Sequence, residues 1–309
     1  MNNKNIESAI TNEIKNLRYS FSELDSKFSL TINNININFL KNSEYKGFSP
    51  NKWFRSVHKK GNIHEPGLIA ALIFLNKILK KEKVIFYDIG ALYGYHSLIF
   101  HSLFKDSRII AIEGNPKSAE YIKFHSNSIT KFKVLNRVMA TTINFNKYFI
   151  TGFTFEECNI FEASIKSLKI FLKNIIKTIL NPFFTKKFEL RRGHFYKLKS
   201  INIPSILDLN KENRREIIKI DTEGSQGIFL KPFITNLCER RSIVLLELDR
   251  PEKIAKYKTT NDNLIQEFIK NKYNVYWLDH RLGKKVYKIS KINKKQDKNS
   301  LVILLPNGL

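Results

Sequence analysis

Residues 84–97, VIFYDIGALYGYHS, constrain the fold of this chain more than any other segment. A short apolar run, Val84–Tyr87, leads into Asp88, Gly90 and Gly94, and a helical pattern follows over Tyr95–Phe104. An apolar run of that length reads as a strand buried on both faces. The two glycines let the backbone turn sharply and approach a ligand closely. A strand, a glycine loop and a helix in succession belong to an open α/β sheet, whose ligands bind beyond the carboxyl ends of the strands.

The same rhythm continues along the chain. Arg108–Ile112 reads as a second strand, and Asn115-Pro116 caps a helix running to about Ser126. Lys133–Leu135, Ile217–Ile220 and Ile243–Leu248 read as the third, fourth and fifth strands. Leu264–Lys270 reads as a helix, and Val275–Leu278 with Leu301–Leu305 as a closing pair. Strands separated by helices predict a mainly parallel sheet covered on both faces.

Upstream of this repeat, residues 1–27 read as a helix with Ile6, Ile10, Ile14 and Leu17 on one stripe. Residues 28–39 alternate around Asn33-Asn34, the pattern of a hairpin. The stretch Gly47–Glu65, which contains Trp53, reads as a loop, and Pro66 opens a helix to about Lys81. The expected organisation is an N-terminal extension over 1–66 and a main domain over 67–309, interrupted between the third and fourth strands by an insertion at about 153–200. The middle of the insertion, 164–180, reads SIKSLKIFLKNIIKTIL. On a helical projection Ile165, Leu168, Leu172, Ile175, Ile176, Ile179 and Leu180 form one stripe flanked by Lys166, Lys169, Lys173 and Lys177. A basic amphipathic helix of this kind fits an anionic membrane surface, and also a lid packed on the protein's own core.

Three motifs carry chemistry. The first is the loop after strand one. Its spacing, D-x-G-x-x-x-G, is not the G-x-G-x-x-G of dinucleotide folds. A carboxylate just ahead of the turn repels a pyrophosphate but suits an ammonium or sulfonium. The second is RIIAIEGNP, where Glu113 ends strand two and can accept both hydroxyls of a ribose. The third is EIIKIDTEGSQ, which delivers Asp221 and Glu223 to the end of strand four. There they can orient a substrate, take a proton or bind a cation, or Asp221 can simply brace the loop.

Taken together these motifs resemble the FkbM family of S-adenosylmethionine-dependent methyltransferases. The family pattern D-x-G-A-N-x-G is met by Asp88-Ile89-Gly90-Ala91-Leu92-Tyr93-Gly94, the E-P-x-P-like end of strand two by Glu113-Gly114-Asn115-Pro116, and I-K-I-D-V-E-G by Ile218–Gly224. The hairpin, the Trp53 segment, Glu65-Pro66 and Ser205–Asp208 resemble the family as well. Leu92, Gly114 and Gln226 depart from it, where the family has asparagine, proline and a second glutamate. The resemblance implies a Rossmann-like class I methyltransferase fold and S-adenosylmethionine as cofactor. It places Asp88, Gly90, Ala91, Gly94 and Glu113 at the cofactor, with Asp221 and Glu223 as catalytic candidates. It also implies O-methylation of a glycan, lipid-linked sugar or small metabolite.

Charge and composition set the remaining bounds. The net charge is +25, from 53 basic against 28 acidic residues, and it attracts anions of every kind. Nucleic-acid methylation is therefore a second expectation, although no RNA-binding module is recognisable. A cofactor-binding scaffold without activity is a third. Two cysteines form neither a disulfide framework nor a four-cysteine zinc site. No histidine spacing marks a metal site, so no metal is expected. With no long apolar run and no leader-like start in MNNKNIESAI, the expected location is cytoplasmic, with peripheral attachment at the inner membrane face through 164–180.

Overall fold

A computed structural model of the chain describes residues 3–41, 49–151, 154–157, 161, 162, 164, 165, 167–170, 172, 194–281, 286–297 and 299–309. The chain opens with helix α1 (Asn3–Asn16), strands β1 (Tyr19–Glu23), β2 (Lys27–Ile32) and β3 (Ile35–Leu40), and helices α2 (Pro50–Val57) and α3 (Pro66–Ile78). The α/β repeat follows as β4 (Val84–Ile89), α4 (Tyr95–Leu103), β5 (Arg108–Glu113), α5 (Pro116–Ser126) and β6 (Phe132–Asn136). After four further strands, β7 (Val138–Met139), β8 (Phe145–Thr151), β9 (Thr154–Glu157) and β10 (His194–Ile201), the repeat resumes with β11 (Arg215–Ile220) and β12 (Ile243–Leu248). It closes with β13 (Tyr273–Leu278), β14 (Val286–Ile289) and β15 (Ser300–Pro306).

The main sheet has eight strands in the order β14-β13-β15-β12-β11-β4-β5-β6. Strands β12, β11, β4, β5 and β6 run parallel, and β15 enters antiparallel between β12 and β13. This is the mainly parallel sheet that the strand–helix rhythm predicts, in the Rossmann-like α/β architecture that the family resemblance implies. Period-two alternation explains why both faces are covered. Val84 and Phe86 point into a cluster with Leu72 and Phe100, whereas Ile85, Tyr87 and Ile89 point into a second cluster with Ile206, Phe229 and Phe268. Every residue of β4 is buried.

The N-terminal extension differs from the sequence reading in two places. Helix α1 ends at Asn16, and Tyr19–Glu23 is a strand instead of more helix. The hairpin captures the chain there. Arg18 N donates to Asn33 Oδ1 at 2.9 Å and Asn33 N to Arg18 O at 2.9 Å, which brings β1 alongside β2. The hairpin itself is as expected, with Asn33 and Asn34 at φ 44° and 70°, the left-handed pair of a tight turn. Within 47–65, Pro50–Val57 is helical. Ser49 Oγ accepts from Lys52 N at 3.1 Å and Pro50 occupies the first turn, a local start signal that the loop reading passed over. Ile6, Ile10, Phe28 and Leu30 join the same apolar cluster as Ile69 and Leu72 of α3.

The insertion, expected to be helical, is partly a second sheet. Strand β10 pairs antiparallel with β8 from His194↔Ile150 to Lys199↔Phe145, giving a four-stranded order β7-β10-β8-β9. The described residues between 161 and 172 are helical, and the rest of the expected 164–180 helix lies outside the described residues.

Candidate active site

The carboxyl ends of β4, β5 and β11 open into a cleft of about 770 Å³, a size suited to a drug-sized ligand. Gly90 fixes how closely strands one and four approach there. Its φ is +79°, and a Cβ added to it would meet Asp221 O at 1.8 Å, so only glycine fits. Gly90 N and Ala91 N both donate to Ile112 O, at 2.9 and 3.2 Å, which folds the loop back across β5. Leu92 lies in the left-handed region at φ 52°, a backbone state in which asparagine is at less cost than leucine. That accounts physically for the asparagine of the family pattern.

Glu113 stands on the cleft wall and is 5% exposed. Its Oε2 accepts from Leu92 N at 2.8 Å and its Oε1 from Asn115 N at 2.7 Å. A carboxylate offers about four acceptor positions, so one remains on each oxygen. Burial pushes the carboxyl up to about 7 despite these two donors, with the Asp88 and Asp221 charges adding to the rise. The Asn136 amide donates to the carbonyls of Glu113 and Gly114 at 2.8 and 3.0 Å and pins the strand end.

Of the five residues expected at a cofactor, Gly90 and Glu113 line the cleft, whereas Asp88, Ala91 and Gly94 are not among its lining residues. Asp88 is 1% exposed, accepts from Ser97 Oγ at 2.7 Å and lies 3.3 Å from Lys219 Nζ. It braces the turn between β4 and α4. Gly94, at φ +72°, starts α4 where a Cβ would press on His125 and Ile122.

Asp221 and Glu223 both line the cleft, but in different states. Burial pushes the Asp221 carboxyl up, and the Lys219 ammonium 3.2 Å away more than offsets this, holding it below its usual range. The Glu247 carboxyl, hydrogen-bonded to Asp221, is pushed well up by burial and by the Asp221 charge. Glu223 does not continue the strand. It turns at φ +55° and pairs with Lys253, which also contacts Asp249 at 3.1 Å. Gln226 is fully buried and satisfied on both ends. Its Nε2 donates to Glu247 O and Asp249 Oδ2 at 3.1 and 3.0 Å, and its Oε1 accepts from Thr222 Oγ1 and Gly224 N at 2.8 and 3.1 Å.

A group of histidines gathers around Glu65 at the edge of the cleft, and spacing along the chain does not disclose it. His64 and Glu65 precede α3, His96 lies in the first turn of α4, and His280 follows β13. His64 Nε2, His96 Nε2 and His280 Nε2 lie 3.4, 3.4 and 3.5 Å from the Glu65 carboxylate. Burial pushes the His96 imidazole down to about 3 and lowers His64, so both are neutral at pH 7.

No family model matches the chain, and no curated protein matches it. Among solved structures, it is similar to methyltransferase FkbM from Methylobacillus flagellatus KT, with 12% identity over 72% of this chain and a TM-score of 0.39. The chain spans 43% of the length of that protein. It is also similar to a putative caffeoyl-CoA O-methyltransferase from Staphylococcus aureus, at 14% identity, 83% of this chain, 90% of the other and a TM-score of 0.42. An O-methyltransferase from Bacillus cereus in complex with SAH gives 12% identity, 78% and 81% coverage and a TM-score of 0.35.

Proposed function

We propose that the chain is an S-adenosylmethionine-dependent methyltransferase of the FkbM type, acting on a hydroxyl oxygen of a glycan, lipid-linked sugar or small metabolite. The observation that carries this reading is Glu113. It closes strand two at the cleft wall, and each of its oxygens holds one backbone N–H and keeps one position free. That donor–acceptor set fits the two hydroxyls of a ribose. The loop around Gly90 supplies the close backbone approach that a nucleoside needs. Bound there, S-adenosylmethionine supplies an electrophilic methyl group.

The chain's own residues then have three tasks. Glu113 holds the ribose, and the tight Gly90 turn shapes the wall beside it. Asp221, kept ionised by Lys219, is a weak base and a good acceptor for an ammonium or a substrate hydroxyl. Positioning the acceptor oxygen in line accounts for much of the acceleration available to such a displacement. Titration calorimetry with S-adenosylhomocysteine tests the reading. Wild type is expected to bind one equivalent, and Glu113→Gln at least tenfold more weakly. Absence of binding by wild type overturns it.

A lipid-borne acceptor is favoured by one further observation. Phe161, Ile165, Leu168 and Leu172 recur at helical spacing and are 74%, 38%, 56% and 47% exposed. An apolar face beside lysines, on a chain of net charge +25, complements an anionic bilayer surface. This supports peripheral attachment. Among the described residues, no helix is long and apolar enough to cross a membrane.

A further inference from the structure

We propose that His64, Glu65 and His96 form a binding site for one divalent transition-metal ion at the edge of the cleft. One ligating atom from each residue lies within 4.8 Å of the other two, and the Glu65 carboxylate bridges the imidazoles, with Oε1 3.4 Å from His64 Nε2 and Oε2 3.4 Å from His96 Nε2. Donors on a tetrahedral ion with bonds of ~2.0–2.1 Å stand about 3.3 Å apart. The observed separations therefore suit ligands of a shared ion. They are longer than the usual ~2.7–3.2 Å of an N–H···O hydrogen bond, and His96 Nε2 makes none.

The partners of His96 point the same way. Its side chain is more than nine-tenths buried, and its Nε2 has no hydrogen-bond partner although it faces the Glu65 carboxylate. A buried imidazole nitrogen aimed at a buried carboxylate without a bond to it carries a desolvation cost that a bridging cation removes. The charge around the site is also unlike the rest of the molecule. On a chain of net charge +25, four carboxyls (Glu65, Asp88, Asp221 and Glu247) converge here against Lys219 and Arg281.

Two imidazoles and one carboxylate are the donor set of open catalytic zinc and non-haem iron sites, and they leave positions for an outside ligand. His64 and Glu65 line the cleft, so those positions open onto it. The ligand class is a hydroxyl or carboxylate oxygen. Its assignment to a methyl acceptor rests on the methyltransferase reading, whereas occupancy by metal does not.

The test uses the full chain freed of metal and titrated with Co²⁺, followed by calorimetry and visible absorption. One equivalent is expected to bind, with ligand-field bands of low coordination. His64→Gln and His96→Gln are each expected to weaken binding at least tenfold, and His101→Gln, outside the cluster, to leave it unchanged. Because His96 is buried, thermal melting of the metal-free variants is measured alongside. If His96→Gln does not fold, the half-buried His64→Gln decides. No saturable binding by wild type, or binding unchanged in a folded His64→Gln, overturns the site. Titration of the same samples with S-adenosylhomocysteine separates this failure from failure of the methyltransferase reading.

Discussion

Asp88 on β4 and Lys219 on β11 are register partners on neighbouring parallel strands, and their charged groups lie 3.3 Å apart with both side chains almost fully buried. The same ammonium lies 3.2 Å from Asp221 at the end of β11. One cation thus ties the first-strand turn, through Asp88 and Ser97, to the fourth-strand carboxylate that faces the cleft. A buried pair contributes little net stability over an apolar equivalent, but removing one partner leaves an uncompensated charge.

Lys219→Met is therefore expected to destabilise the protein by about 3–5 kcal/mol, measured by urea unfolding. Adding Asp88→Asn to it is expected to recover part of the loss. A double variant as unstable as the sum of the two single ones would show that the charges are not coupled.

Glu113 makes a prediction about pH. Its carboxyl titrates near 7 in the folded chain and near 4.5 when unfolded, so the folded state holds the proton more tightly. Stability from this group is fully present below pH ~4.5 and is lost as pH rises to ~7, by roughly 3 kcal/mol in all. Unfolding free energies of wild type and Glu113→Gln from urea titrations, followed from pH 4.5 to 8, are expected to diverge by that amount in favour of the variant. Parallel curves would place the Glu113 carboxyl at its ordinary value.

Gly90→Ala is expected to cost about 3 kcal/mol, combining a left-handed backbone with a Cβ forced onto Asp221 O. Binding of S-adenosylhomocysteine is expected to fall with it. Thermal unfolding measures the first effect and calorimetry the second.

Asp221→Asn separates orientation from base catalysis. General-base roles contribute ~10²–10⁴-fold to turnover. With Lys219 holding Asp221 ionised, kcat is expected to fall less than about tenfold while KM rises by more, once an acceptor is available. A fall in kcat of a hundredfold with KM unchanged would make Asp221 the base.

Leu168→Glu places a charge on the exposed apolar face of 161–172. Sedimentation with vesicles containing anionic lipid is expected to drop at least tenfold relative to wild type. Equal recovery of wild type with neutral and anionic vesicles would remove the membrane role.

The features legible along the chain are local. The apolar run before Gly90, the Asn33-Asn34 turn and the Asn115 cap each act within a few residues, through backbone sterics or a single side-chain bond such as Asn115 Oδ1 with Lys117 N at 3.0 Å. They were legible for that reason, and the parallel direction of the strands followed from the helices between them. Where a neighbour in space overrode local preference, the reading missed. The hairpin turned Tyr19–Glu23 from helix to strand, and pairing with β8 drew the two ends of the insertion, Thr154–Glu157 and His194–Ile201, into a sheet. The site was legible at its strand ends, because a residue that closes a parallel strand must sit at the cleft. Which of those residues face it depends on contacts between distant segments. Asp88 turns back to Lys219, 131 positions away, and Glu223 to Lys253. His64, Glu65, His96 and His280 converge from three separate segments, since burial and sheet register, not spacing along the chain, set the distance between their nitrogens and the Glu65 carboxylate.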